Sequence, residues 1–354
     1  MQGLPLKTAV TLRGLAVFWA AVLALVGLGA IVLQILGPPP HAPPERREAA
    51  ASSPRSAPPA PPEAPPSSTP SGEPGRATPG PIAAPDPALL EPAPDVPGGM
   101  LPRIAPDGRM PMQVYARGFD RNNSQPKVGL LLAGVGLNEA DSEDAIRTLP
   151  GGITLAFSPY APRAPNLLDA TRHSEHEFLV SIPMEPQGYP LNDAGNEALL
   201  TGAPPAQNMQ RLDWALTRIT GFVGVTGALG TLRGERFAGM LEQMRPVLEA
   251  LAARGLLYVD ARPAGQNPPV VWGRSVDVIV DEPAVRPEIE TKLAQLEQIA
   301  REKGSALGLA GAVRPVTVDR IAAWAGGLAS RGIALAPVSA LVQPPSGSSR
   351  AAAQ

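Results

Sequence analysis

The chain has no cysteine and only three histidines, His41, His173 and His176. Without cysteine there is no disulfide scaffold, no thiolate zinc site and no cysteine nucleophile. Three imidazoles leave little for metal ligation or acid–base chemistry. An excess of either charge is also missing: 30 Lys+Arg face 32 Asp+Glu, so there is no basic footprint for nucleic acid. No Gly-x-Ser-x-Gly elbow, P-loop or His-Glu-x-x-His motif occurs. Proline is abundant but unevenly placed. More than half of the 45 prolines fall between Pro38 and Pro111, which divides the 354 residues into three parts.

The first part holds a run, residues 14–36, without a single charged side chain, preceded by a short segment 1–13 that carries Lys7 and Arg13. A helix of that length spans roughly 34 Å, enough for a hydrocarbon core of about 30 Å. Secretory signals have shorter apolar regions, so the run predicts an uncleaved single-pass anchor in an inner membrane. Arg46, Arg47 and Arg55 on the far side nearly balance the flanking charge. The expected orientation keeps the short N-terminus inside and the bulk of the chain in the periplasm. Residues 37–112 are rich in Pro, Ala and Ser and lack apolar periodicity, so they are expected to form a disordered, partly polyproline-II tether. Such a tether reaches from roughly 50 Å as a coil to about 230 Å when extended. A Pro-x-x-Pro ligand for a partner protein is the other reading of this stretch.

The third part, residues 125–342, is long enough for one domain core and precedes a short tail, 343–354, expected to be disordered. Strand-like runs lie at 127–133, 153–157, 177–182, 222–226, 256–260, 276–280, 306–311 and 333–338. Helical patterns lie near 139–148, 164–173, 206–219, 235–254, 287–303 and 318–331. Gly255, Gly304 and Gly332 supply helix stops. Strands apolar on both faces and alternating with helices predict a parallel sheet covered by helices, closed or nearly closed into a deformed (β/α) barrel of seven or eight strands. A doubly wound open sheet is the alternative. In both, ligands bind at the carboxyl ends of strands.

Few groups at those ends carry chemistry. Gly134 and Gly136 lack the third glycine of a dinucleotide fingerprint and read as a tight turn. His173 and His176 are three apart but have no further ligands nearby, and are expected to be a solvent-facing structural pair. Glu185 and Asp260 each follow a buried strand, and such carboxylates serve acid–base work or bind sugar hydroxyls. The plainer reading has Glu185 holding amides of its own loop and Asp260 paired with Arg262.

Several phrases then carry a resemblance: TLPGGITLAFSPYAP (148–162), HEFLVSIPMEP (176–186), YPLNDAGNEALLTG (189–202), MRPVLEALAARGLLYVDAR (244–262), RPVTVDRI (314–321) and GIALAPVSALV (332–342). Over 127–342 the chain resembles the divergent polysaccharide deacetylases of bacteria, relatives of metal-dependent carbohydrate esterases. The resemblance implies a deformed (β/α) barrel facing the cell envelope, and a metal held by an Asp/His/His set. This chain departs from the family at every expected ligand position. Ala133 and Gly134 stand for the Asp-Asp pair, Ala228 for the first histidine and Ala312 for the second, and residues 261–275 look shortened where a helix is usual. A methyl group cannot hold a cation, so no metal and no other cofactor is expected. Glu185, Asp260 and Asp281 match positions the family commonly fills. Together with Asn192, Asp193, Arg262 and Arg314 they imply a surviving carbohydrate-facing groove. The function expected is a membrane-anchored, non-catalytic domain binding an envelope glycan or an envelope protein. The alternative is a deacetylase or hydrolase whose chemistry has moved to Glu185 and Asp260.

Overall fold

The computed structural model describes Trp19, Leu23 and residues 78–162, 164–263 and 265–345. The expected anchor (apart from Trp19 and Leu23), residues 37–77 of the tether and residues 346–354 of the tail lie outside the described residues. Among the described residues no helix is long and apolar enough to cross a membrane.

Residues 78–112, assigned to the tether by composition, are packed. Two short strands, β1 (Leu90–Pro92) and β2 (Met100–Pro102), pair antiparallel with Leu90 opposite Pro102, and a short helix α1 (Pro111–Val114) follows. The Asp86 carboxylate accepts from Ala88 N at 2.9 Å and starts the turn that leads into β1. Ile82, Leu89, Ala105 and Tyr115 join Leu131, Leu179, Val223 and Leu257 in one buried cluster, so this segment plugs the interior of the domain. Composition hides the plug because its apolar residues are irregularly spaced among prolines. Each proline has a preset φ, which lowers the entropy lost on ordering. Arg254 Nη1 ties the hairpin down, donating to Glu91 Oε1 at 2.8 Å and Pro102 O at 3.1 Å.

From there strands and helices alternate: β3 (Lys127–Val135), α2 (Glu139–Thr148), β4 (Thr154–Phe157), α3 (Ala164–His173), β5 (Phe178–Ser181), α4 (Pro205–Thr217) and β6 (Gly224–Thr226). Then come α5 (Glu235–Gly239), α6 (Leu241–Ala253), β7 (Leu257–Asp260), β8 (Gly273–Ser275), β9 (Val278–Ile279), α7 (Arg286–Lys303), β10 (Ser305–Ala310), α8 (Pro315–Gly326) and β11 (Ala334–Leu335). The strand order is β8-β7-β6-β5-β4-β3-β10-β9, all parallel, with β11 set against the start of β3. Eight parallel strands flanked by helices make the deformed (β/α) barrel that the alternation predicts. The two ends of that order belong to one stretch of chain. Ser275 lies opposite Asp260 of β7, and four residues later Ile279 lies opposite Leu309 of β10. In between, Asp277 N donates to Leu307 O at 2.8 Å.

Side chains alternate along the strands as the pleat requires. Leu131, Ala133, Leu257 and Val259 point into the interior cluster. Leu130, Leu132 and Tyr258 point outward, into the layer shared with Met244, Leu248 and Leu251 of α6. Three details depart from the sequence reading. β8 was not expected, since Gly-Arg-Ser carries no apolar signal. The single helix expected over 235–254 is broken at Met240 (φ −96°, ψ 94°) into α5 and α6. His176 does not face solvent: it is fully buried, with Nδ1 2.7 Å from Ile153 O and Nε2 3.2 Å from Ile146 O. Burial there pushes its pKa below the ordinary histidine value. His173 is the exposed member of the pair, with Nδ1 2.7 Å from Asp169 O.

Candidate functional site

Three loops leave the carboxyl ends of β3, β6 and β10, and they meet. Ala133 and Ala228 are fully buried in the barrel interior. Gly134 follows at φ +77°, and a Cβ built on it would lie 3.4 Å from Gly230 Cα, 3.5 Å from Gly311 O and 3.7 Å from Ala312 Cα. A Cβ on Gly311 would come within 3.0 Å of Gly230 O. The positions where the family resemblance expects an Asp/His/His set do converge, but on backbone packed against backbone rather than on an open pocket. This tests the implied metal: two buried methyl groups, a glycine and loops in contact supply neither donors nor room, so the residues do not fit it. Among the described residues no group of three or more His, Cys, Asp or Glu side chains could hold a metal ion.

Asp281 fastens this closure. Its carboxylate accepts from Gly311 N at 2.8 Å and Ala312 N at 3.2 Å, and burial pushes its pKa above the ordinary aspartate value. Asp281→Ala would strand two loop amides in a site nearly free of water, at roughly 1–3 kcal/mol each. The expected result is a melting temperature lowered by several degrees, with Asp281→Asn recovering part of the loss because its amide oxygen still accepts. An unchanged melting temperature in the alanine variant would remove Asp281 from this role.

Glu185 lies beyond β5, beside α5. Both Thr201 N (2.6 Å) and Thr201 Oγ1 (2.7 Å) donate to its Oε2, and Arg236 Nη1 lies 3.0 Å from Oε1. Its backbone is held as well, by Leu199 O and by Phe237 N. Glu185 lies at the edge of a hollow of about 480 Å³ shared with Tyr189, Thr201, Gln207 and Arg236. Asn192 and Asp193 are on the exposed loop beside it, with Asn192 Nδ2 donating to Gln187 O at 2.8 Å and Asp193 Oδ1 accepting from Gly195 N at 2.9 Å.

Asp260 belongs to a different cavity, of about 590 Å³. It is 3% exposed and its two oxygens take three donors of Arg262: N at 3.0 Å, Nε at 3.0 Å and Nη2 at 2.7 Å. That pairing raises the pKa of the guanidinium. The outward turn of β7 carries Asp260 toward α6, outside the barrel interior. α5 touches Glu185 through Arg236 and lies against Arg262, the partner of Asp260, at Gly239, but the two carboxylates line separate cavities. The structure therefore does not assemble Glu185 and Asp260 into an acid–base pair, and both plainer readings of these residues describe what is seen. The five candidate binding residues are likewise spread over three places. Asn192 and Asp193 neighbour Glu185, Arg262 lines the β7 cavity, and Asp281 and Arg314 flank the loop after β10, Arg314 exposed ahead of α8. Sequence reasoning missed Thr201, Arg236 and Tyr258. Arg236 could not be found while 235–254 read as one helix, since the break at Met240 is what sets α5 beside Glu185.

The sequence profile described as divergent polysaccharide deacetylase matches residues 130–342. A similar solved structure is that of an uncharacterized protein from Agrobacterium tumefaciens C58, with a TM-score of 0.64 and 33% identity, covering 69% of this chain and 100% of that one. No curated protein matches the chain.

Proposed function

The chain belongs to the divergent polysaccharide deacetylase family, and from that premise we propose that its barrel binds a cell-envelope glycan, or an envelope protein in its place, without metal-dependent deacetylation. The single observation that carries this reading is the closure of the three strand-end loops on Gly134, Gly230 and Gly311. The hollow beside Glu185 is the surface offered to the glycan. A half-buried Tyr189 ring provides a stacking face, and Thr201, Gln207 and Arg236 provide hydrogen bonds to hydroxyls. Glu185 orients Thr201 and Arg236 and is itself occupied. In this reading residues 14–36 anchor the chain in the bacterial inner membrane, and the domain is displayed in the periplasm on its Pro-rich tether. The runner-up, catalysis by Glu185 and Asp260, draws less support because each is committed to its own ion pair in its own cavity.

The test uses the full-length chain with soluble peptidoglycan fragments and chito-oligosaccharides. Expected are saturable binding weakened at least tenfold by Tyr189→Ala, acetate release no faster than without protein, and no effect of a chelator on either. Stoichiometric zinc, or acetate release that a chelator abolishes, would overturn the proposal.

A further inference from the structure

The barrel has a gap in its helical layer. Each earlier step from one strand of the order to its neighbour passes through a helix, but β7 reaches β8 through residues 261–272 with no helix among the described residues. The outer face of β7 is buried under α6, and the 590 Å³ cavity opens beside it, where the helix-less loop passes. Its volume is in the range of small-molecule sites, about 300–1,000 Å³. One wall is apolar: Leu241, Met244 and Leu248 from α6 face Pro268 and Pro269 from the helix-less loop. Leu241 is 70% exposed, and Met240, next to it in sequence, is also a large apolar side chain open to solvent. Exposed apolar surface of this kind, gathered at a concavity, marks a binding site more often than a bare wall.

A second, independent observation points to an occupant. Tyr258 lines the cavity, is 3% exposed, and its hydroxyl has no hydrogen-bond partner among the described residues. A buried hydroxyl left unpaired costs roughly 1–3 kcal/mol, which a ligand oxygen reaching it would recover. The charges of Asp260 and Arg262 act on this phenol, but they neutralise one another through their bidentate pair. The cavity thus presents one apolar wall, the amides of Gln266 and Asn267, one unsatisfied hydroxyl and no net charge.

We propose that this cavity between β7 and α6 is a binding site for an uncharged amphiphilic small molecule, its apolar body laid along α6 and a carbonyl or hydroxyl oxygen paired with Tyr258. The site is separate from the glycan-facing hollow and does not depend on it. A carboxylate or phosphate headgroup is disfavoured, because Asp260 already takes the Arg262 charge and a second anion would sit beside the first without compensation.

Decanamide is the probe, titrated calorimetrically into the full-length chain, with decanoate as its charged counterpart. The expected result is one decanamide per chain, with decanoate at least tenfold weaker. Tyr258→Phe, which keeps the ring and removes the oxygen, is expected to weaken decanamide five- to tenfold. Leu241→Glu places a carboxylate at the mouth in the first turn of α6, where a negative charge suits the helix, and is expected to abolish binding while the thermal melt is retained. Absence of decanamide binding, equal affinity for decanoate, full affinity in Tyr258→Phe and Leu241→Glu, or displacement of decanamide by chito-oligosaccharide would each overturn the proposal. Loss of glycan binding in Tyr189→Ala bears on the other site only, so the two readings fail separately.

Discussion

Replacing Glu177 with alanine is expected to lower the stability of the domain by about 4 kcal/mol or more. Glu177 is fully buried just ahead of β5 and joins four separate segments. Its Oε1 accepts from Thr154 Oγ1 at 3.1 Å and Ser339 N at 2.9 Å, and its Oε2 from Arg117 N at 3.0 Å and from Ser339 Oγ. Thr154 Oγ1 in turn accepts from Val338 N at 3.0 Å, so the C-terminal turn over β11, the start of β4 and the segment after α1 hang on one carboxyl. Alanine would strand these donors together, at roughly 1–3 kcal/mol for each that finds no water. Glutamine keeps one accepting oxygen, and since the Ser339 hydroxyl can turn to accept, the main loss is at Arg117 N; about 1–3 kcal/mol is expected. Burial pushes the Glu177 carboxyl above its ordinary value, outweighing the donors. The folded chain then holds this proton more tightly than the unfolded one. Its contribution is complete below a pH of about 4.5 and declines as pH rises through the folded value. Urea melts of the wild type and Glu177→Gln should accordingly differ most in acid and draw together as the pH rises. A difference that widens with pH, or an alanine variant as stable as the wild type, would show that these segments are held by something else.

What could be read from the sequence and what could not follow from where the information lies. Strands such as Lys127–Val135 and Ser305–Ala310 are buried on both faces, so their runs of Leu, Val and Ala announce a parallel sheet without any knowledge of the partners. β8 is buried too, but its central Arg274 is satisfied by Ser305 Oγ, Ser305 O and Asp277, and a strand stabilised through a guanidinium has no hydrophobic signature. His176 failed for the same reason: in a polar run it reads as surface, while two carbonyl oxygens from other parts of the chain wait for its ring. That Ala133, Gly134, Ala228 and Ala312 carry no donor side chain was legible from their identities, because neither a methyl group nor a hydrogen has a lone pair in any fold. Their consequence was not legible. That three glycine-bearing loops close over the vacated positions depends on backbone paths such as φ +77° at Gly134, which a residue name permits but does not specify. Glu185 and Asp260 both follow strands in the sequence, yet the pleat sends Asp260 outward, and which parity a strand takes is decided by its packing in the fold.

Placing the donors that the resemblance expects, by Gly134→Asp, Ala228→His and Ala312→His together, is expected to give a destabilised chain that takes up no stoichiometric zinc. A side chain at Gly134 must accept a positive φ at about 1 kcal/mol, and beyond a Cβ already in contact with Gly230 and Gly311 at 3.4 and 3.5 Å its carboxylate must find space between those loops. An imidazole at Ala228 enters a fully buried apolar interior, where overpacking costs about 1–3 kcal/mol and an unpaired ring nitrogen adds a similar amount. Zinc binding would have to offset both penalties and also part the loop after β10 from Asp281, whose two hydrogen bonds hold it shut. Gly134→Ala separates backbone strain from the rest, since it introduces the Cβ and no ligand; it should account for the smaller share of the loss. Metal analysis after incubation with zinc and dialysis, read beside the thermal melt, decides the matter. If the triple variant melts like the wild type and retains one zinc per chain, the strand ends are open, and only side chains separate this barrel from a metal-binding relative. If it loses stability and stays empty, the loops have re-formed around the lost site, and point reversion cannot return the metal without rebuilding the backbone at Gly134, Gly230 and Gly311.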